Sequence, residues 1–115
     1  MRSRDLLKIM QLYANKGVWN NTRVVSETWI EKSTRPHANA RENIDYGYLC
    51  WMQRFGTAEK SYFAYYMAGS GGSKIAVFPE LGLTVVITGT WYGTGKAHMQ
   101  SERILSEFIV PSVMR

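Results

Sequence analysis

The apolar positions along this chain change rhythm twice. In residues 4–16, Leu6, Ile9, Met10 and Tyr13 recur at helical spacing, with Ser3 placed to cap the start and Gly17 to close the end. That pattern predicts an amphipathic helix. After the polar turn at Trp19, Asn20 and Asn21 comes a second, shorter helix. Ser26 is placed as its cap, Glu27 stands in its first turn, Trp29 and Ile30 form its buried face, and Pro36 stops it. The stretch 34–45 is polar throughout and predicts a loop. From Tyr46 the rhythm becomes that of strands. Residues 46–55 and 62–68 are rich in aromatics and are separated by Gly56-Thr57-Ala58-Glu59-Lys60, which predicts a hairpin. Residues 73–78 and 83–90 follow, joined by Pro79-Glu80-Leu81-Gly82, where proline sets one turn dihedral and glycine permits a positive φ. Four strands with short connections imply an antiparallel meander. A last helix is predicted over 97–110, with Ile104, Leu105, Phe108 and Ile109 on one stripe and Pro111 at its end.

Helix, helix, sheet, helix is an α+β layout, and with no repeat or linker it reads as a single domain over 1–115. A chain of 115 residues that is 45% hydrophobic can bury roughly two-thirds of its unfolded surface, enough for a modest core. Its longest apolar runs fall well short of the roughly 20 residues that cross a bilayer, and its first thirty residues carry no signal-peptide pattern. A soluble protein without an export signal is expected, with no membrane partner. The net charge of +5 would suit an anionic partner if the basic residues were clustered. Beyond Arg2 and Arg4 they are spread singly among acids, so no nucleic-acid partner is expected. The one cysteine, Cys50, lies between Leu49 and Trp51 in an apolar pattern and reads as a buried thiol.

Most motifs that carry chemistry fail on inspection. Tyr13-Ala14-Asn15 has the form of a proton-moving Tyr-x-Asn element but lies inside the first helix, where Tyr13 belongs to the buried stripe. Gly93-Thr94-Gly95-Lys96 lacks the upstream glycine and the following hydroxyl residue that a phosphate loop needs. His37 and His98 have no partner at metal-ligand spacing and read as surface histidines, so no metal and no cofactor is expected. In Ser-x-x-Lys chemistry one helical turn sets an amine beside the nucleophilic hydroxyl. None of the nine serines is followed three places on by lysine, and no Gly-x-Ser-x-Gly elbow occurs, so no catalytic residue is assigned within the chain. Ala68-Gly69-Ser70-Gly71-Gly72 remains. Glycines at a strand end let a ligand approach backbone N–H groups, the donors a tetrahedral oxyanion needs, although a flexible hairpin loop would use the same residues.

The order of these segments resembles the C-terminal part of the class C β-lactamase and penicillin-binding-protein-like serine hydrolases. The residues that carry the likeness are Arg2 to Lys8 opening a helix that ends in Tyr13-Ala14-Asn15-Lys16-Gly17, then Trp19-Asn20, and Val24 to Ile30 with Ser33-Thr34. Tyr46-Gly47-Tyr48 with Trp51, the glycine turn, and Val77-Phe78-Pro79-Glu80-Leu81-Gly82 running into Leu83 to Val86 complete it. The resemblance implies a partial β-lactamase/transpeptidase-like fold. It also implies that the strand through 62–70 flanks an active site and that the Ser70 N–H, framed by Gly69 and Gly71, is one of two oxyanion donors. Met67-Ala68-Gly69 departs from the family's Lys-Thr-Gly element, which favours an esterase or amidase parent over a β-lactamase. Trp51, Trp91 and Tyr92 would line the substrate cleft, if they are not simply core. In the family the Ser-x-x-Lys serine precedes the position of Met1, so the chain is expected to be inactive alone, with an ester or amide substrate only in the full-length parent. Its expected partners are that missing N-terminal half or further copies of itself; a stand-alone, self-associating assembly module is the alternative. Family members are often periplasmic or secreted.

Overall fold

A computed structural model describes residues 2–113; Met1, which the resemblance sets downstream of an enzyme's nucleophile, lies outside them. Helix α1 spans Ser3–Ala14, and its cap is Arg2 rather than Ser3. The Arg2 carbonyl accepts from the Asp5 N–H at 2.9 Å while the Asp5 carboxylate accepts from the Arg2 N–H at 3.3 Å. An acidic residue in the first turn closes the helix start from within and complements its dipole, leaving Ser3 free to be helical. At the other end Lys16 turns left-handed (φ 56°), donating to Tyr13 O at 3.0 Å while Gly17 donates to Leu12 O at 2.9 Å. This is the paired Schellman closure. Gly17 is required there, because a Cβ would sit 2.0 Å from the Val25 carbonyl oxygen.

A two-residue hairpin follows, β1 (Val18–Trp19) and β2 (Thr22–Arg23), turned by Asn20 and Asn21 at positive φ. Helix α2 covers Glu27–Ser33 and is capped as expected, the Ser26 hydroxyl accepting from the Trp29 N–H at 3.1 Å.

The meander has six strands, two more than its hydrophobic pattern predicts. They are β3 (Ala38–Arg41), β4 (Ile44–Tyr46), β5 (Trp51–Gly56), β6 (Ser61–Gly69), β7 (Ser73–Phe78) and β8 (Leu83–Ile87), each antiparallel to its sequence neighbours. The extra edge strand β3 arises in the expected polar loop. All four of its residues are exposed, so no alternation marks it. Asn39 holds it instead, its side-chain amide donating to Arg41 O, Ile44 O and Asp45 Oδ1 at 3.0–3.3 Å. The expected strand 46–55 is two strands, because the chain reverses at 47–50 with Leu49 at φ 62° and 75% exposed. Strand β8 stops at Ile87, three residues early. Beyond it Gly89 presses against the β6–β7 turn, where a Cβ would lie 2.2 Å from Gly71 O.

The sheet lies between two helical layers. On one face Met10 of α1 packs with Met52, Tyr65 and Val77. On the other, Leu105 and Val110 pack with Phe55, Tyr62, Ala64, Tyr66, Ala76 and Phe78. The alternation of Tyr62, Ala64 and Tyr66 with Tyr65 along β6 assigns its side chains to opposite faces.

The C-terminal helix runs past its expected end at Pro111. Its first segment is α3 (Lys96–Arg103), Ile104–Ile109 widen into π turns, and α4 (Val110–Val113) contains the proline. In the widened part the Val110 N–H reaches Leu105 O, five residues back, which opens the carbonyl row that a proline ring would strike in a regular helix.

Candidate functional site

Where β6 runs into β7 the chain makes a single 3-10 turn, Ser70–Gly72. The four glycines around it do different things. Gly71 (φ 84°) and Gly72 (φ 86°) are buried, and a Cβ on either would lie 2.4 Å from a backbone oxygen, that of Gly89 or Ala97. These two, with Gly89, are glycines for packing. Gly69 is different. It is exposed and extended (φ −137°, ψ 170°), and a Cβ there would meet only Ser73 Cβ, at 3.9 Å. Nothing in the fold requires glycine at that position.

Gly69 and Ser70 border a cleft of about 420 Å³. Its walls are Trp51 from β5, Tyr66 and Ala68 from β6, and Arg41 reaching over from the edge strand β3. Lys74 of β7 and His98 and Glu102 of α3 complete it. Ser70 follows the last residue of β6 and opens the turn at the rim of this cleft. Of the residues expected at the site, Gly69, Ser70 and Trp51 therefore come together. Gly71 lies beneath the turn. Trp91 lines a separate cleft beside Lys96, Met99 and Phe108, and Tyr92 packs over Gly71, its ring edge 3.0 Å from where a Cβ would stand.

The strongest chemistry in the cleft was not anticipated. Lys74 is only 2% exposed. Its Nζ lies 2.6 Å from Ser101 Oγ, 3.2 Å from His98 Nδ1 and 3.4 Å from His98 O, and 5.9 Å from the Tyr66 ring centre. Among the described residues no carboxylate lies within ion-pair distance of it. Burial lowers the Lys74 pKa, opposed by the charge of Glu102 and assisted by that of Arg41. His98 is not the surface residue expected. It is partly buried, and burial followed by the neighbouring Lys74 holds its pKa below the ordinary imidazole range. Burial pushes the Tyr66 phenol up to about 12. The sequence did carry a signal for this cluster. Lys74 has the same strand parity as Ala76 and Phe78, the inward one, and Ala97, Ser101 and Leu105 mark the buried stripe of the helix above it.

His37 is exposed as expected, stacked on Tyr48 with ring centres 4.2 Å apart. Cys50 is free and fully buried, and burial raises its thiol to about 11. Among the described residues no three His, Cys, Asp or Glu side chains gather to hold a metal, and no helix is long and apolar enough to cross a membrane. Set against models of known protein families and against curated proteins, the chain matches none.

Proposed function

We propose that this chain forms the oxyanion side of an acyl-transfer site of the β-lactamase-related serine hydrolase kind, acting on an ester, amide or β-lactam in a full-length parent and inactive alone. The observation that carries the reading is the turn at Gly69 and Ser70. It borders a cleft of about 420 Å³, at a glycine whose missing side chain serves no contact within the protein, which supports reading the Ser70 N–H as a donor toward that cleft. A donor aimed at the developing oxyanion contributes about 3–4 kcal/mol to transition-state stabilisation in such sites. The nucleophile belongs to another segment of polypeptide, since no Ser-x-x-Lys occurs here. The preference for an ester or amide rests on the lack of a cation at Met67, but Arg41 brings one to the same cleft from β3, so an anionic substrate is also accommodated.

Phenylphosphonate, a stable tetrahedral anion, tests this directly by amide NMR. Shifts centred on the Ser70 N–H are expected, and their absence overturns the reading. Ser70→Pro removes the donor at a first-turn position that proline favours, after an extended residue that tolerates it. In that variant the response should vanish while the fold persists. Stoichiometric labelling of the wild-type chain by a fluorophosphonate would show a nucleophile within it and overturn the claim of inactivity.

A second reading, a self-associating module, is favoured by one observation. Met99 and Phe108 of the C-terminal helix are 63% and 65% exposed, and Trp91, 49% exposed, lines the same cleft from the preceding loop. Such a patch suits either a second copy or the hydrolase segment that would pack there. Sedimentation equilibrium separates the cases: a dimer dispersed by Phe108→Glu supports the module, and a monomer at high concentration removes it.

A further inference from the structure

Buried lysines in folded proteins are ordinarily matched by a carboxylate, and Lys74 is not. Its neighbours are a hydroxyl, an imidazole nitrogen and a carbonyl oxygen. Lys74 Nζ donates to all three, the Ser101 hydroxyl donates in turn to His98 O at 3.2 Å, and none of the three carries the negative charge that would hold an extra proton on the amine. The amine also borders a cleft with room for a small molecule. We propose that Lys74 is an imine-forming residue, and that its Nζ condenses with an aldehyde or ketone seated in the cleft between Trp51 and Glu102.

The step balances without an oxidant or reductant. The nitrogen lone pair attacks the carbonyl carbon, a C–N bond forms, and the carbonyl π pair moves to oxygen, which takes up a proton as nitrogen gives one up. The C–O bond then breaks, water leaves, and the imine remains. His98 Nδ1 and Ser101 Oγ, at 3.2 and 2.6 Å from Nζ, are placed to receive and return the proton. Desolvation, opposed by Glu102 and assisted by Arg41, lowers the Lys74 pKa from that of a surface lysine, which favours the nucleophilic form. Trp51 and Tyr66 offer ring faces to the carbonyl compound, and Arg41 offers a partner for a carboxylate on it. The class of ligand is therefore a carbonyl compound that also carries a carboxylate.

The test uses the intact chain with 4-formylbenzoate and cyanoborohydride at pH 7, the adducts being mapped by peptide mass spectrometry. Modification of Lys74 should exceed that of Lys8, Lys16, Lys32 or Lys96 by roughly tenfold or more. Adducts distributed by exposure, with Lys74 the least modified, would overturn the proposal. Arg41→Gln, on an exposed edge strand, should lower labelling by 4-formylbenzoate about fivefold more than it lowers labelling by benzaldehyde, whose change reports only the lost positive charge near Lys74. An equal change for the two aldehydes removes the carboxylate assignment. This inference and the oxyanion reading fail separately. An adduct at Lys74 without a phosphonate response at Ser70 sustains only the first, and the reverse result sustains only the second.

Discussion

Both faces of the sheet bury phenols, Tyr65 on one and Tyr66 on the other, but only the face under the C-terminal helix also holds bases. Against α1 lie Cys50, Tyr13 and Tyr65, each raised by burial and so each in its ordinary neutral form at pH 7. Against α3 lie Lys74 and His98, each lowered by burial, so that desolvation works against the charge they would carry in water. One strand serves both faces. Val77 of β7 packs toward α1, while Ala76 and Phe78 pack toward the C-terminal helix with Lys74 on the same parity. The comparison separates a face that only packs from a face that packs and holds reactive groups.

The largest effects should come from packing, and they should differ between the faces. Phe78 is fully buried, with its ring centre 5.9 Å from that of Phe55 at an edge-on angle. Phe78→Ala should cost about 3–5 kcal/mol in urea unfolding. Met10→Ala on the other face should cost less, about 2–3 kcal/mol, because an unbranched thioether leaves a cavity that flexible neighbours such as Met52 and Met67 can fill. If the two costs are equal, the α1 layer is as rigidly packed as the layer beneath the C-terminal helix, and the contrast fails.

Stability against pH should respond in opposite directions to His98 and Lys74 on one face and to Cys50 on the other. The folded pKa of His98 lies below its unfolded value of 6.5, so between the two the unfolded state binds more protons and stability falls as the solution is acidified. Lys74 acts with the same sign in the alkaline range, stability rising with pH from its folded pKa toward 10.5. Cys50 acts oppositely. Raised from 9.0 to about 11, its thiol stays protonated in the folded protein while the unfolded chain ionises, so stability is lost as pH climbs through that window. His98→Gln should therefore flatten the acid side of a urea-midpoint curve, and Cys50→Ala should flatten the loss above pH 9. If Cys50→Ala leaves the alkaline limb as steep as before, the α1 face is not the source of that loss.

How much of this could be read from the chain depends on whether burial left a period in the sequence. Strands β6 to β8 were legible as aromatic and apolar runs bounded by turn residues, and the major helices because one covered side imposes a helical stripe. Strand β3 was invisible because it is covered on neither side and is held by the Asn39 side chain. The turn at 47–50 was hidden by Leu49, an apolar residue that the pattern placed in a strand and the fold puts in solvent. At the cleft, the glycine turn and Trp51 were legible as local features. The Lys74–Ser101–His98 cluster was legible only in halves, the inward parity of Lys74 on β7 and the buried stripe through Ser101 on α3, because its contact joins them across some 24–27 residues of sequence.

The smallest expected effect on stability is the most informative about function. Gly71→Ala forces a Cβ against Gly89 O at a left-handed φ, and should destabilise by on the order of 2 kcal/mol or more. Gly69→Ala, two residues away, meets only Ser73 Cβ at an ordinary contact distance in an extended conformation and should change unfolding by no more than about 0.5 kcal/mol. Yet Gly69 borders the cleft, next to Ser70 in the chain. The phenylphosphonate response should weaken in Gly69→Ala with no change in melting. If instead both binding and melting stay at their wild-type values, Gly69 is glycine for no reason that the fold or the proposed ligand supplies, and the turn is a hairpin loop.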